Sequence, residues 1–218
     1  KIRGHRIELG EIESVLKIAL PFIVIDDKYT LASELFLDTT YILVEAAMYA
    51  LNIAPNKFRS KFGFEGWKDF DASLWKKVKN EAIAAELKPD GLTLYGGDIS
   101  GVVLDKARQN IEEAGLTDVI RLKKSSFDKF PVPAPNGVLI CNPPYGLRIE
   151  PKDIMSMYQT MGDKMKHDFK GWTCWIFTGN LEVAKFIGLR PSRKIQLYNG
   201  PIECRFLKFD VYEGSKKA

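Results

Sequence analysis

The chain has no apolar run long enough to span a bilayer and no stretch that reads as a secretory leader, so no membrane partner is expected. It is poor in cysteine. Cys141, Cys174 and Cys204 stand far apart inside apolar segments, which excludes a disulfide framework and reads as three reduced core residues of a cytoplasmic protein. With two histidines, His5 and His167, a zinc site has no support and no metal is expected. Internal repeats and low-complexity tracts are missing as well, which excludes solenoids and long disordered linkers. Large net charge is absent. A balance of +4 is compatible with nucleic acid but does not require it. What remains is 218 residues, enough for one α/β domain with a full core. A chain that starts at Lys1 is expected to be a piece of a longer protein.

The richest stretch runs from Gly137 to Gly146, where the apolar run Val138-Leu139-Ile140-Cys141 ends in Asn142-Pro143-Pro144-Tyr145. The run reads as a buried strand. Two prolines stop it and fix φ at both positions, and Asn142 is held extended because a proline follows it. The result is a stiff loop at the C-terminal end of a strand, the edge at which open α/β sheets bind ligands. The alternative reading is a proline-rich turn and nothing more. The chemistry that suits the loop is transfer to a nucleobase amine. The Asn142 side-chain oxygen can accept one amine N–H and the Pro143 carbonyl the other. That pairing favours a tetrahedral nitrogen whose lone pair points at an electrophile such as the methyl group of S-adenosylmethionine. Tyr145 offers a stacking face for the base.

Along the chain, residues 31–37 read as a strand ending at Asp38. Residues 41–51 read as an Ala-rich helix bounded by Pro55. Residues 56–75 interleave aromatics with basic residues, a pattern that serves either a local aromatic core or contact with nucleic acid. Helices are expected over 73–87, 102–114 (closed by Gly115), 154–169 and 181–188, and strands over 92–98, 119–123 and 172–177. Segments 194–198 and 202–212 flank Asn199-Gly200 and read as a terminal hairpin. The expected fold is α/β and Rossmann-like, a seven-stranded, mostly parallel sheet with a terminal antiparallel strand pair. Residues 1–30 are expected to form a basic N-terminal segment and 31–218 the catalytic domain.

Asp98 ends a strand and precedes a helix, where a carboxylate can accept both ribose hydroxyls of a nucleoside cofactor. Asp128, after the next strand, can accept the adenine amino group. For either acid the alternative is a helix cap or a solvated loop position.

Together these residues resemble the RNA guanine-N2 methyltransferases that carry a THUMP RNA-binding domain ahead of a Rossmann-like catalytic domain. The resemblance rests on Glu45-Ala46-Ala47 through Asn52-Ile53-Ala54-Pro55-Asn56, on Phe62-Gly63-Phe64-Glu65-Gly66-Trp67, and on Gly97-Asp98-Ile99-Ser100. It continues through Ala107-Arg108-Gln109-Asn110, Ala114-Gly115-Leu116, the Asn142 loop and Asn199-Gly200-Pro201-Ile202-Glu203-Cys204. It implies S-adenosylmethionine as cofactor, ribosomal or transfer RNA as partner, and a THUMP domain that is not within these residues. It implies Asn142, Pro143, Pro144 and Tyr145 as catalytic groups, and Asp38, Thr40, Glu45, Asp98, Ile99, Asp128 and Asn142 around the cofactor. Arg3-Gly4-His5-Arg6 is similar to the family's basic interdomain segment, so Arg3 and Arg6, with Arg59 and Lys61, are expected to contact RNA phosphates. Lys1 to Glu13 also resembles a late motif of adenylate-forming domains, with the rest of such a domain not visible.

Two departures from the pattern stand out. The family's glycine-rich loop after the first strand has no counterpart before Thr39-Thr40-Tyr41, so the loop is expected to be missing or shortened. Ser125-Ser126 stands where an acid near adenine is expected, with Asp128 as the substitute. Two other functions fit the Asn142 loop: amino methylation of adenine or cytosine in DNA, and a cofactor-free RNA-binding module derived from a methylase.

Overall fold

A computed structural model describes residues 23–27, 39–144 and 151–213. Its centre is one seven-stranded sheet in the order β3-β2-β1-β4-β5-β7-β6. The strands are β1 (Ile23–Asp27), β2 (Leu94–Asp98), β3 (Ile120–Lys124), β4 (Gly137–Cys141), β5 (Trp172–Thr178), β6 (Arg193–Asn199) and β7 (Ile202–Asp210). β1 to β5 are parallel, while β7 runs antiparallel between β5 and β6. The helices are α1 (Thr39–Ala50), α2 (Ala72–Ala84), α3 (Gly101–Glu113), α4 (Pro151–Asp168) and α5 (Leu181–Ala184).

The connections explain the layering. From β1 through α1 to β2, and on through α3 to β3, the chain moves outward in one direction. From β4 through α4 to β5 it moves in the other. Right-handed crossovers therefore place α1 and α3 on one face and α4 on the opposite face. The two buried clusters match. Leu43, Ala47, Leu51 and Ile111 pack with Leu94, Val138 and Ile140 on the first face. Tyr158, Met161, Met165 and Phe169 pack with Leu139, Cys174 and Ile176 on the second. Each fully buried large side chain contributes roughly 1.5–3 kcal/mol relative to exposure. Burial also pushes the Cys174 thiol above its ordinary range, with the Asp210 charge adding to it, so this cysteine stays a neutral core residue.

The local signals acted as their chemistry requires. Gly115 has φ +67°, its N–H donates to the Glu112 carbonyl, and the Leu116 N–H donates to the Ile111 carbonyl, closing α3 with paired carbonyls. Glycine does different work at 96 and 97. A Cβ at Gly96 would lie 2.5 Å from Leu43 Cδ1 of α1, and one at Gly97 would lie 2.6 Å from Phe130 Cδ2 on the other face. Two successive glycines let both layers close on β2 immediately before Asp98.

The first strand departs from expectation. The sheet takes Ile23–Asp27, within the segment 1–30 expected to precede the domain, and hydrogen-bonds it between β2 and β4. The expected strand over 31–37, Asp38, Tyr145, Arg3, Arg6 and the adenylate-like segment lie outside the described residues. Ile23-Val24-Ile25 is an unbroken β-branched run closed by two acids, whereas 31–37 carries Ser33 and Glu34 among its apolar residues. The eleven residues 28–38 between β1 and α1 contain no glycine and lie outside the described residues. Among the described residues no helix is long and apolar enough to cross a membrane.

Candidate active site

Strand order reverses between β1 and β4, since β2 and β3 continue to one side of β1 while β4 and β5 continue to the other. At such a switch point the C-terminal edge opens into a crevice. Registry places Asp26 of β1 level with Gly97 of β2 and Cys141 of β4, and Asp27 level with Asp98. Asn142 follows Cys141 directly. Asp98 and Asn142 thus flank the end of β1, two strand spacings or about 10 Å apart.

Asn142 is half-buried, between buried Cys141 and buried Pro143. Its side-chain Oδ1 is enclosed and has no hydrogen-bond partner. A buried acceptor left unpaired costs about 1–3 kcal/mol, so it persists where it has another use. Neither Pro143 nor Pro144 has an N–H, so the loop backbone offers the amide no neighbouring donor at those positions. On the adjoining strand, fully buried Thr178 meets the Tyr158 hydroxyl of α4 at 2.8 Å and accepts the Asn180 N–H at 3.1 Å. These bonds tie the end of β5 to the helix that follows the Asn142 loop.

Asp98 is 1 % exposed. Its Oδ1 accepts the Ser100 N–H at 2.5 Å, and its backbone carbonyl accepts the Ser125 N–H at 3.0 Å. The cap of α3 is Ser100, whose Oγ accepts the Val103 N–H. The N-cap alternative for Asp98 is therefore excluded, and the acid stands at the strand end as a buried carboxylate. Ile99 beside it is 38 % exposed, an apolar surface at the same edge. This donor set fits a nucleoside cofactor: a carboxylate for hydroxyl groups, an apolar side chain next to it, and an unpaired acceptor across β1.

The other expected residues are more dispersed. Thr40 is in the first turn of α1, and Glu45 is exposed about 7.5 Å farther along that helix. Asp128 is exposed in the 3₁₀ turn Phe127–Lys129 after β3, between buried Phe127 and Phe130. Ser125 and Ser126 are half-buried beside it. Arg59 and Lys61 lie on an excursion between α1 and β2, exposed to solvent. Asp26, Asp27 and the Tyr158–Thr178 pair were not anticipated. The first two carry a visible signal, Ile23-Val24-Ile25 closed by two acids; the pair carries none, because its members are separated by a helix and a loop.

The sequence profile described as "RMKL-like, methyltransferase domain" matches residues 39–208. The chain belongs to this family. Among curated relatives, the Synechocystis sp. protein slr0064, named provisionally as an RNA methyltransferase, is 40 % identical over 171 residues, covering 78 % of this chain and 44 % of that protein. The ribosomal RNA large subunit methyltransferase K/L of Shewanella baltica is 31 % identical over 222 residues, covering 99 % of this chain and 31 % of its own length. The crystal structure of SMU.472 complexed with SAH superposes with a TM-score of 0.79 at 30 % identity, over 97 % of this chain and 54 % of that one. The chain thus spans less than half the length of these curated relatives. The methyltransferase family is the one whose catalytic domain the motifs around Asn142 and Asp98 resemble.

Proposed function

We propose that this RMKL-like domain transfers a methyl group from S-adenosylmethionine to the N2 amine of guanine in structured RNA, large-subunit ribosomal RNA first among candidates. The carrying observation is the enclosed, partnerless Oδ1 of Asn142 at the switch point of the sheet. The names of the Shewanella and Synechocystis relatives support RNA as the substrate class, and the SAH complex supports the cofactor.

When bound, the cofactor supplies an electrophilic methyl group. The chain's own groups do the rest. Asp98 would hold the ribose hydroxyls, Ile99 would lie against the cofactor, and Asp128 would receive the adenine amine. Asn142 Oδ1 accepts one N–H of the target amine and the Pro143 carbonyl accepts the other, with Pro144 keeping the loop rigid. Both acceptors gain strength as the nitrogen becomes cationic, so they favour the transition state over the ground state. No strong base is needed, because orientation supplies much of the rate. Tyr145 follows as the stacking face, and Asp38, Thr40 and Glu45 complete the cofactor side. Arg3, Arg6, Arg59 and Lys61 receive phosphates. Residues 31–218 with β1 form the catalytic domain, working in the cytoplasm beside a THUMP-type domain outside these residues.

Labelled S-adenosylmethionine, offered with ribosomal RNA, transfer RNA and duplex DNA, tests the assignment when the products are digested to nucleosides. N2-methylguanosine from RNA is the expected product. Methylated adenine or cytosine from DNA, or no transfer to any polymer, would overturn it.

A further inference from the structure

Between Leu51 and Leu94 the chain makes a long excursion whose neck is clipped shut. The Leu87 N–H donates to the Leu51 carbonyl at 2.7 Å, Asn52 Nδ2 to the Ala85 carbonyl at 2.9 Å, and Lys57 pairs with Glu86 at 2.7 Å. Because α1 runs down from the active edge and β2 starts at the bottom, both ends of the excursion leave the sheet opposite Asn142. Within it, Trp75 meets Phe62 and Phe64 edge-on at 5.4 and 5.0 Å, and Phe70 closes on Phe64 at 6.0 Å. This knot gives the segment its own small core, the first of the two readings of the aromatic run.

The knot leaves much unused. Helix α2 has no buried residue. Phe58 is 61 % exposed and Trp67 68 % exposed, although each is large enough to anchor a core. Residues 56–79 hold seven Lys or Arg against three Asp or Glu, a local balance of +4 that equals the charge of the whole chain. The remaining residues are neutral in sum. Arg59, Lys61, Lys68 and Lys76 are exposed and form no ion pair among the described residues. Arg59 instead lies over the Phe62 ring at 5.2 Å.

Exposed rings with all the excess positive charge between them match a phosphodiester strand with unstacked bases, since rings take base faces and cations take phosphates. An acidic peptide would use the cations but not the open ring faces. We propose that this excursion is a second RNA-binding platform, which grips a single-stranded segment of the substrate on Phe58 and Trp67, with Arg59, Lys61, Lys68 and Lys76 on its phosphates. It rests on the RNA reading above and adds a docking point away from the reacting nucleotide. A platform there holds the body of the RNA while a distant nucleotide enters the switch-point crevice.

The test uses the purified chain and a short single-stranded oligouridine carrying 5-iodouridine. Crosslinked peptides should map to Phe58 or Trp67. Phe58→Ala and Trp67→Ala should each weaken binding about tenfold, the loss of one base stack. Arg59→Glu with Lys61→Glu and Lys68→Glu should flatten the salt dependence by about 0.7 in log–log slope per lost contact. Cofactor affinity should stay at the parent's value in all of these, and melting temperature should shift only slightly, because the altered side chains are exposed and only Arg59 and Trp67 touch the knot, at Phe62 and Phe64. Crosslinks elsewhere, or variants that bind as the parent does, overturn the platform and leave the methyl-transfer assignment standing. A parent that binds no oligouridine also overturns it and assigns this face to a protein partner. A platform that passes in a chain that methylates no RNA leaves the inference standing and removes the assignment instead.

Discussion

Asn142→Ala separates catalysis from stability in a direction the structure fixes. In the free protein Asn142 Oδ1 is enclosed without a partner, a state that costs about 1–3 kcal/mol. Removing it relieves that cost and gives up the packing of a small, half-buried side chain, so the two effects largely cancel. The melting temperature should stay within about 2–4 °C of the parent's, the shift that roughly 1 kcal/mol produces in a domain of this size. In the proposed methyl-transfer step the same atom would accept an N–H whose positive character grows. Losing a positioned hydrogen bond of that kind costs about 2.7–4 kcal/mol, or 10²–10³ in turnover. Single-turnover transfer from labelled S-adenosylmethionine to ribosomal RNA reads the rate, and thermal melting of the same samples reads stability. Slow transfer with an unshifted melt is the expected pair. A variant that methylates at the parent's rate, or a melt that falls by many degrees, would refute the reasoning, because Oδ1 would then be idle in the reaction or structurally engaged.

Three further outcomes follow from other parts of the molecule. Asp98→Asn keeps an acceptor for the Ser100 N–H but loses the charge proposed to receive the ribose, so cofactor binding should weaken by about 1.5–3 kcal/mol in calorimetry while RNA affinity holds; equal losses in both would mark a structural role. Gly162→Ala on α4 places a Cβ 1.9 Å from the Ile187 carbonyl oxygen, a clash with backbone that should cost about 1–3 kcal/mol or more in chemical denaturation, and an unchanged midpoint would show that the helix can move away. Asp71 caps α2 through the Ser73 and Leu74 N–H groups, and the Ser73 hydroxyl chiefly, with those N–H bonds, holds its carboxyl below the ordinary aspartate range. The cap's contribution is therefore complete above that ordinary value and lost as pH falls through the lowered one, which Trp75 fluorescence should report as fraying of α2 in strong acid and at no higher pH. Fraying near neutrality would contradict it.

Much of the fold was legible because local and long-range requirements agreed. At β4 an apolar run and two prolines set both the strand and its end, and at α3 the Ala114-Gly115 stop set a helix terminus that the hydrogen bonds reproduce. At β1 they did not agree. Residues 31–37 stand next to α1 and lead into Asp38, but they carry Ser33 and Glu34, whereas Ile23-Val24-Ile25 is unbroken and β-branched. Within the sheet it is Ile23–Asp27 that pairs with Leu94–Asp98 and Gly137–Cys141, far along the chain. The site shows the same division. Asn142 and Asp98 stood out because Pro-Pro and Gly-Gly surround them, whereas the isolation of a single oxygen and the Tyr158–Thr178 bond depend on neighbours brought together only by folding.

The position of β1 also changes the meaning of the missing glycines. With a strand ending at Asp38, the cofactor loop would be deleted and the turn into α1 would be tight. With β1 ending at Asp27, eleven residues separate it from α1, more than the two to six usual between strand and helix, and none of them is glycine. On the proposed reading, cofactor recognition rests on side chains at the strand ends. Asp98 is held there by Ser100, and Asp26 and Asp27 stand at the neighbouring register positions. A cofactor held mainly at strand ends depends on few groups, and for that reason the Asp98 substitution should register so strongly in this chain.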